Sequence, residues 1–389
     1  MAKKNQVLSM STDKTHMVHR GLQGIVAGTT AISYIDGEKG QLFYRGFTIG
    51  DLIRYSNFEE VVFLLFFGRL PNSSEWESWQ ERLVTERKIP QQVLDGVKNF
   101  PKETVPMAVL RTAVSLLALY DKSAEDNSPD ANLRKGIRLV AQMPTIVAAI
   151  DRIRQRKDPV APLDKGTLAE NFLFMLHGQA PDEESTRGLD AYFMLLAEHS
   201  YNASTFAART TAATLSDLYS AVVSAIGTLK GDLHGSANQR TMEMLLEIKE
   251  PSRIESYVKE KLARKQKVMG FGHRVYKTDD PRAEYLREWA ERLGQKNGTL
   301  QWFRIAEELK RVVKREKPLP INVDFYSAPL LYFLGIPVDL FTLLFACART
   351  PGWVAHVLEQ YSDNRLIRPE AEYNGPTLNQ IYIPLEKRE

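Results

Sequence analysis

RKGIRLVAQMPTIVAAIDRIRQRK, residues 134–157, is the stretch that decides the fold class. It reads as one long helical pattern with basic residues at both ends and Pro144 inside. A proline in a helix interior removes a backbone donor and crowds the preceding turn, so a kink or a break is expected there. The acidic loop DKSAEDNSPD (121–130) leads into it. Further towards the N-terminus, VVFLLFFG (61–68) is a second helical run; Ser56 with Glu59 is placed as a capping box before it, and Gly68 as its C-terminal stop. Pro71 and Asn72 separate it from the next helix. From Gly188 to about Ile248 the chain is again apolar and helical, interrupted at GDLHGSAN (231–238). Ser252 with Glu255 forms a second expected capping box, opening a helix that ends in KLARKQK (261–267). The exception to this pattern lies near the start. TAISYID, GEKG and QLFYRG (30–46) read as a β-hairpin in which Ile32, Tyr34, Leu42 and Tyr44 alternate and Asp36-Gly37 supplies the turn. The expectation is an all-α protein with one small N-terminal hairpin, preceded by a flexible arm over residues 1–20.

The chain has 389 residues, 43% of them hydrophobic, which is enough for a substantial core. A formal charge of +3, with acids and bases mixed along the chain, gives no indication of a nucleic-acid binder. The single cysteine, Cys347, excludes an internal disulfide framework and suits a reducing compartment. It lies in the apolar run LFTLLFACAR with no histidine near it in sequence, which fits a packed side chain better than a nucleophile. No apolar signal segment opens the chain, and no stretch approaches the roughly 20 apolar residues of a membrane span. A cytoplasmic location is the expectation.

Seven histidines are present. His16 and His19 fall in the arm, while His177 and His356 lie in helical patterns that suggest packing or capping. His199 in AEHSYNASTF, His234 in LKGDLHGSAN and His273 in GFGHRVY remain. Small residues flank the last two and let a ligand approach both ring and backbone. No HExxH or CxxC spacing is present, so a metal site is not expected. The GFG is not a dinucleotide fingerprint, because it lacks the third glycine and follows a basic helix end. Asp324 stands between Val323 and Phe325 in PLPINVDFYSAPLL, where desolvation would raise its pKa and make it a usable base; a helix N-cap is the alternative. Arg282, Arg349 and Arg368 form the last set. Arg349 ends an apolar run, so its guanidinium needs an anionic partner, either from the protein or from a substrate.

Taken in order, GLQGIVAGTTAISYIDGEKGQLFYRG, EHSYNASTFAAR, LKGDLHGSAN, MGFGHRVYKTDDPRA, NVDFYS, ARTPGWVAHVLEQ and NRLIRP resemble the citrate synthase family from about Gly21 to the C-terminus. The resemblance implies the fold of that family: an all-α homodimer with a large helical domain (21–230 and 331–389) and a smaller, mobile, CoA-binding domain (231–330). It implies condensation of acetyl-CoA with oxaloacetate to citrate, a tricarboxylic acid cycle reaction, with no cofactor beyond the substrates. His234 would hold the thioester oxygen, Asp324 would take the methyl proton, and His273 would polarise and protonate the oxaloacetate carbonyl. His199, Arg282 and Arg349, with Arg368 from a second subunit, would bind the carboxylates. The loop Val268, Gly270, Phe271, Gly272, Arg274, together with Asn322, would receive CoA, and Lys267, Arg315 and Lys317 are candidates for its phosphates. The basic run is equally explained by cations favouring a helix C-terminus. Two departures stand out. HGSANQ replaces the usual HGGAN followed by Glu, which places Ser236 and Gln239 near His234, and Thr342-Leu343 stands where Thr-Pro is frequent. A serine would be strained if that position had a positive φ. A 2-methylcitrate synthase using propionyl-CoA, and a non-catalytic dimer that binds CoA or carboxylates, are the alternatives. The extra N-terminal domain of hexameric, NADH-inhibited relatives is not expected here.

Overall fold

The structure is a computed structural model that describes residues 19–377 and 379–388. The arm expected over residues 1–20 lies almost wholly outside these, as does His16. The described chain divides into Thr30–Leu366 and a second, smaller unit made from the two terminal segments. In the smaller unit, the short 3-10 turns Arg20–Leu22 and Leu385–Lys387 are the only regular elements among the described residues.

Thr30–Leu366 carries sixteen α-helices among the described residues and one antiparallel sheet. The sheet contains the expected hairpin, β1 (Ser33–Asp36) and β2 (Gln41–Tyr44), and adds β3 (Phe47–Thr48) beyond β2. The turn spans residues 37–40: Asp36 pairs with Gln41, its Oδ1 accepts from the backbone N–H groups of Glu38 and Lys39, and the positive φ falls on Gly40, not Gly37. Leu42 and Tyr44 are buried as expected, but Tyr34 is 63% exposed. Ile32 precedes β1, so its burial does not propagate along the strand, and Ile35, opposite Leu42, takes the inward place.

The stretch around Pro144 forms one helix, Pro129–Arg154, with no break. Its central turns are buried throughout, and it packs along the equally buried helix Phe341–Ser362. Packing on all sides outweighs one missing backbone bond, and Gly136 lets Val354 approach so closely that a Cβ would lie 2.4 Å from its Cγ1. Two expected caps shift. Asn57, not Ser56, caps Phe58–Phe67: it directly precedes the first helical residue and its amide oxygen accepts the Glu60 N–H at 3.0 Å, while Glu59 turns inward. Ile254–Ala263 follows a 3-10 turn, Pro251–Arg253, and has no side-chain cap. Gly68 terminates its helix with φ 75°. Asn72 and Glu75 make a capping box at the next one.

Candidate active site

Three segments bring the expected residues together inside Thr30–Leu366. The first is the loop after helix Glu183–Leu196, which carries Glu198 and His199. The second is the break between helices Leu218–Leu229 and Ala237–Ile248, which carries His234. The third is the loop 268–280, which is tied to the start of helix Val323–Phe333. Three hydrogen bonds make this tie. Across the Phe271–Ile321 bridge, Gly272 N–H donates to Pro320 O at 2.7 Å and Asn322 N–H donates to Gly270 O at 3.0 Å, and Asn322 Nδ2 donates to Gly272 O at 3.1 Å. Gly270 and Gly272 have φ of 81° and 86°, and a Cβ on Gly270 would lie 2.6 Å from the Phe325 ring. A side chain at Gly270 would be excluded twice over, by backbone and by space.

Asp324 is not an N-cap. Asn322 holds that position, accepting from Asp324 N–H at 3.1 Å, and it thereby leaves the Asp324 carboxylate free. Asp324 is 9% exposed, and its Oδ1 is buried without a hydrogen-bond partner. Burial pushes this carboxyl up to about 7, with Arg282 opposing, Asp280 adding and Arg349 opposing. The Tyr192 hydroxyl, on helix Glu183–Leu196, lies within its electrostatic reach and accepts from Asn238 Nδ2 at 3.4 Å.

The two loop histidines are held as neutral rings with defined tautomers. His234 Nε2 lies 2.8 Å from Ser204 Oγ and accepts the Ser204 N–H at 3.3 Å, so its proton sits on Nδ1. Ser204 Oγ also accepts from Trp353 Nε1 at 3.0 Å, and Asn202 Oδ1, 2.8 Å away, competes with His234 for its single proton, so the Ser204 N–H is the contact that assigns the tautomer. His273 Nδ1 accepts the N–H groups of both Val275 and Tyr276 at 2.9 Å, which leaves Nε2 as the protonated nitrogen. Burial brings both rings down to about 4. Arg349 adds to the effect at His234; at His273, Asp280 opposes it and Arg282 adds. His199 is pushed further down by burial, then by Arg282, Arg349 and His273. Its ring centroid is 5.6 Å from that of His273, and its Nε2 lies 3.3 Å from the Tyr276 hydroxyl.

Arg282 and Arg349 meet different fates. Arg282 is gripped by Asp280, Nε to Oδ1 at 2.9 Å and Nη2 to Oδ2 at 2.7 Å, so a protein carboxylate already engages one edge of its fork. Arg349 is 1% exposed, donates Nε to Leu196 O at 2.6 Å and lies 4.9 Å from the Phe345 ring centroid, but among the described residues it makes no carboxylate ion pair. Arg368 is exposed and belongs to the terminal unit. Of the basic candidates, Lys267, Arg274 and Lys317 are exposed, and Arg315 is engaged by Glu255 and Glu316. Val268 is buried at 5%. Cys347 is buried, and its thiol is pushed up by burial, as expected of a packed side chain. Among the described residues, no group of three or more His, Cys, Asp or Glu could hold a metal ion.

Ser236 has φ −81°, an ordinary conformation for any residue, so the strain expected from this departure is not there. Gln239 donates to Glu243 at 2.9 Å, and Thr342 lies within the unbroken helix Phe341–Ser362.

Sequence reasoning did not single out Glu198, Asp280, Ser204 or Tyr276. Glu198 is completely buried; its Oε1 accepts from His356 Nε2 at 2.8 Å, from Ser33 Oγ at 2.9 Å and from Ser200 N–H. An acid directly beside a candidate histidine, within an otherwise apolar run, was the available signal.

The family model for the citrate synthase C-terminal domain matches residues 21–370. The chain belongs to the citrate synthase family. It is 48% identical to Citrate synthase 2 of Bacillus subtilis (strain 168), covering 95% of this chain and 99% of that protein. It is also 42% identical to the Citrate/2-methylcitrate synthase of the same organism, covering 92% and 96%. A solved ternary complex of carboxymethyl coenzyme A and oxaloacetate with the citrate synthase of Thermoplasma acidophilum superposes with a TM-score of 0.91 at 31% identity, covering 96% of this chain and all of that one. The chain is therefore an all-α enzyme of the citrate synthase class of transferases, acting on small molecules. No helix among its described residues is long and apolar enough to cross a membrane.

Proposed function

We propose that this protein is a citrate synthase, which condenses acetyl-CoA with oxaloacetate and water to give citrate and CoA. The observation that carries the proposal is Asp324: a buried carboxylate with an unpartnered oxygen, held near neutrality in its proton affinity, among neutral imidazoles and two arginines. Asp324 removes a proton from the thioester methyl. A carboxylate alone is too weak a base for so poor an acid, so the charge arising on the thioester oxygen needs a donor already in place. His234 Nδ1–H supplies it, at a gain of about 3–4 kcal/mol if it resembles an oxyanion-hole donor. The enolate carbon then attacks the oxaloacetate carbonyl, and His273 Nε2–H gives its proton to the alkoxide. Arg349, Arg282 and His199 hold the carboxylates of oxaloacetate, and Arg368 of a second subunit completes the set. Citryl-CoA is then hydrolysed.

CoA lies along Val268–Arg274 and Asn322, with its phosphates against Lys267, Arg315 or Lys317. Residues 231–330 act as the mobile part that closes over it and keeps water from the thioester. The protein works as a homodimer in the cytoplasm. One relative named citrate/2-methylcitrate synthase and another named 2-methylcitrate synthase 2 support a second reading in which propionyl-CoA is the acyl donor. One extra methylene discriminates by about 1–3 kcal/mol. Thiol release with oxaloacetate and each acyl-CoA decides between the two: the higher kcat/KM belongs to acetyl-CoA here, and a clear preference for propionyl-CoA overturns the assignment.

A further inference from the structure

We propose that Glu198 is a positioning residue for the oxaloacetate-binding pole of the site: its Oε1 fixes the turn that carries His199, and its Oε2 lies beside the side chain of Arg349. This rests on the function proposed above. The turn is unusual. Ser200, directly after His199, has φ 51°, a left-handed conformation that a serine adopts only when its surroundings hold it there. What holds it is Glu198 Oε1, which accepts Ser200 N–H together with Ser33 Oγ from β1 and His356 Nε2 from helix Phe341–Ser362. Ser33 Oγ also accepts Ser200 N–H at 3.1 Å. His356 is anchored in turn, its Nδ1 lying 3.2 Å from Arg209 Nη1, and Arg209 pairs with Glu359 at 2.7 Å. One oxygen atom thus joins the sheet, the His199 turn and the long C-terminal helix.

The second oxygen does something different. Glu198 Oε2 is buried and has no hydrogen-bond partner, and it is packed so tightly against Gly352 that a Cβ there would lie 2.4 Å away. Arg349, one turn earlier on that helix, has no carboxylate of its own. Burial brings Arg349 down to about 10. The groups facing it are Glu198 after helix Glu183–Leu196, Tyr192 on that helix, Tyr44 on β2, Arg282 on helix Pro281–Lys296, Asp324 on helix Val323–Phe333, and His199 and His234 on their loops. Glu198 Oε2 and Arg349 Cδ lie against the same glycine, 2.4 and 3.3 Å from where a Cβ on Gly352 would stand, and Glu198 favours the charged guanidinium while Arg282 opposes it.

The two roles separate by substitution in the full-length chain, read by calorimetric titration of oxaloacetate at about pH 7.5 and by KM in the thiol-release assay. Glu198→Gln keeps an acceptor for the turn and removes the charge beside Arg349, and weakens oxaloacetate by ~3–10-fold. Glu198→Ala removes both and weakens oxaloacetate by ~10-fold or more, leaving the acyl-CoA KM within ~3-fold. Ser33→Ala, which removes one donor and no charge, stays within ~3-fold. A Glu198→Gln affinity equal to that of wild type overturns the proposal, as does a Glu198→Ala enzyme whose two KM values rise together. If Glu198→Ala does not fold, Glu198→Gln alone decides. A wild-type protein that binds no oxaloacetate removes the function reading itself, a result distinct from either of these.

Discussion

Glu198 and Asp324 are two carboxylates sunk in the same helical unit, and the protein treats their charges in opposite ways. Burial raises the pKa of both. At Glu198, His356, Arg349 and Ser33 outweigh burial and leave the group below the usual carboxylate range. At Asp324 burial prevails and the group rises to about 7. The decisive difference is hydrogen bonding. One oxygen of Glu198 accepts from three residues, whereas Asp324 Oδ1 accepts from none. Depth alone therefore says little about whether a buried acid is a strut or a base; its partners decide.

Substituting the unpartnered acid breaks this contrast most severely. Asp324→Asn lowers kcat by ~10³-fold or more in the thiol-release assay, within the range of a positioned general base. His234→Ala removes the Nδ1 donor and lowers kcat by ~10²–10³-fold, with a small effect on oxaloacetate KM. Stability moves the other way. A carboxyl raised from 3.8 to about 7 by folding favours the folded state while it is protonated, below the unfolded value, and that contribution is lost as pH rises through about 7. Asp324→Asn is therefore more stable than wild type at pH 8 by about 2–4 kcal/mol, and the gap closes near pH 4; denaturant melts at the two pH values measure it. The same titration gives kcat/KM an acidic limb with its midpoint near pH 7, falling about tenfold per unit below it, while both histidines stay neutral down to about 4. Ser236→Gly gives the smallest change, less than about 2-fold in kcat/KM, because the serine backbone is unstrained.

Why the sequence revealed some of this and not the rest follows from particular residues. Helical rhythm over 134–157 and the alternation at Leu42 and Tyr44 are local signals, and both elements are present. The break expected at Pro144 failed because the forces that keep that helix whole come from a segment some two hundred residues away, around Val354. Ser56 lost its cap to Asn57 because Glu59 is needed inward, at the Leu168 N–H, another distant partner. At the site, residue type and flanking glycines pointed to His234, His273 and Asp324. The tautomers were illegible, since Ser204 sets one from thirty positions upstream. Glu198 was passed over because its meaning lies in His356 and Arg349, which no local pattern connects to it. Arg282 was picked out as a carboxylate binder, and the grip of Asp280, two residues before it, shows only in the folded chain.

The stitching between the Gly270–Gly272 loop and Asn322 carries a mechanical consequence. Three backbone and side-chain bonds make the imidazole at 273 and the carboxylate at 324 passengers on one cassette. Any swing of that cassette changes its distance to the arginine at 349 but not the spacing between its own two riders. In the proposed closure over CoA, the proposed acid and base would therefore keep their mutual alignment and travel together towards Arg349.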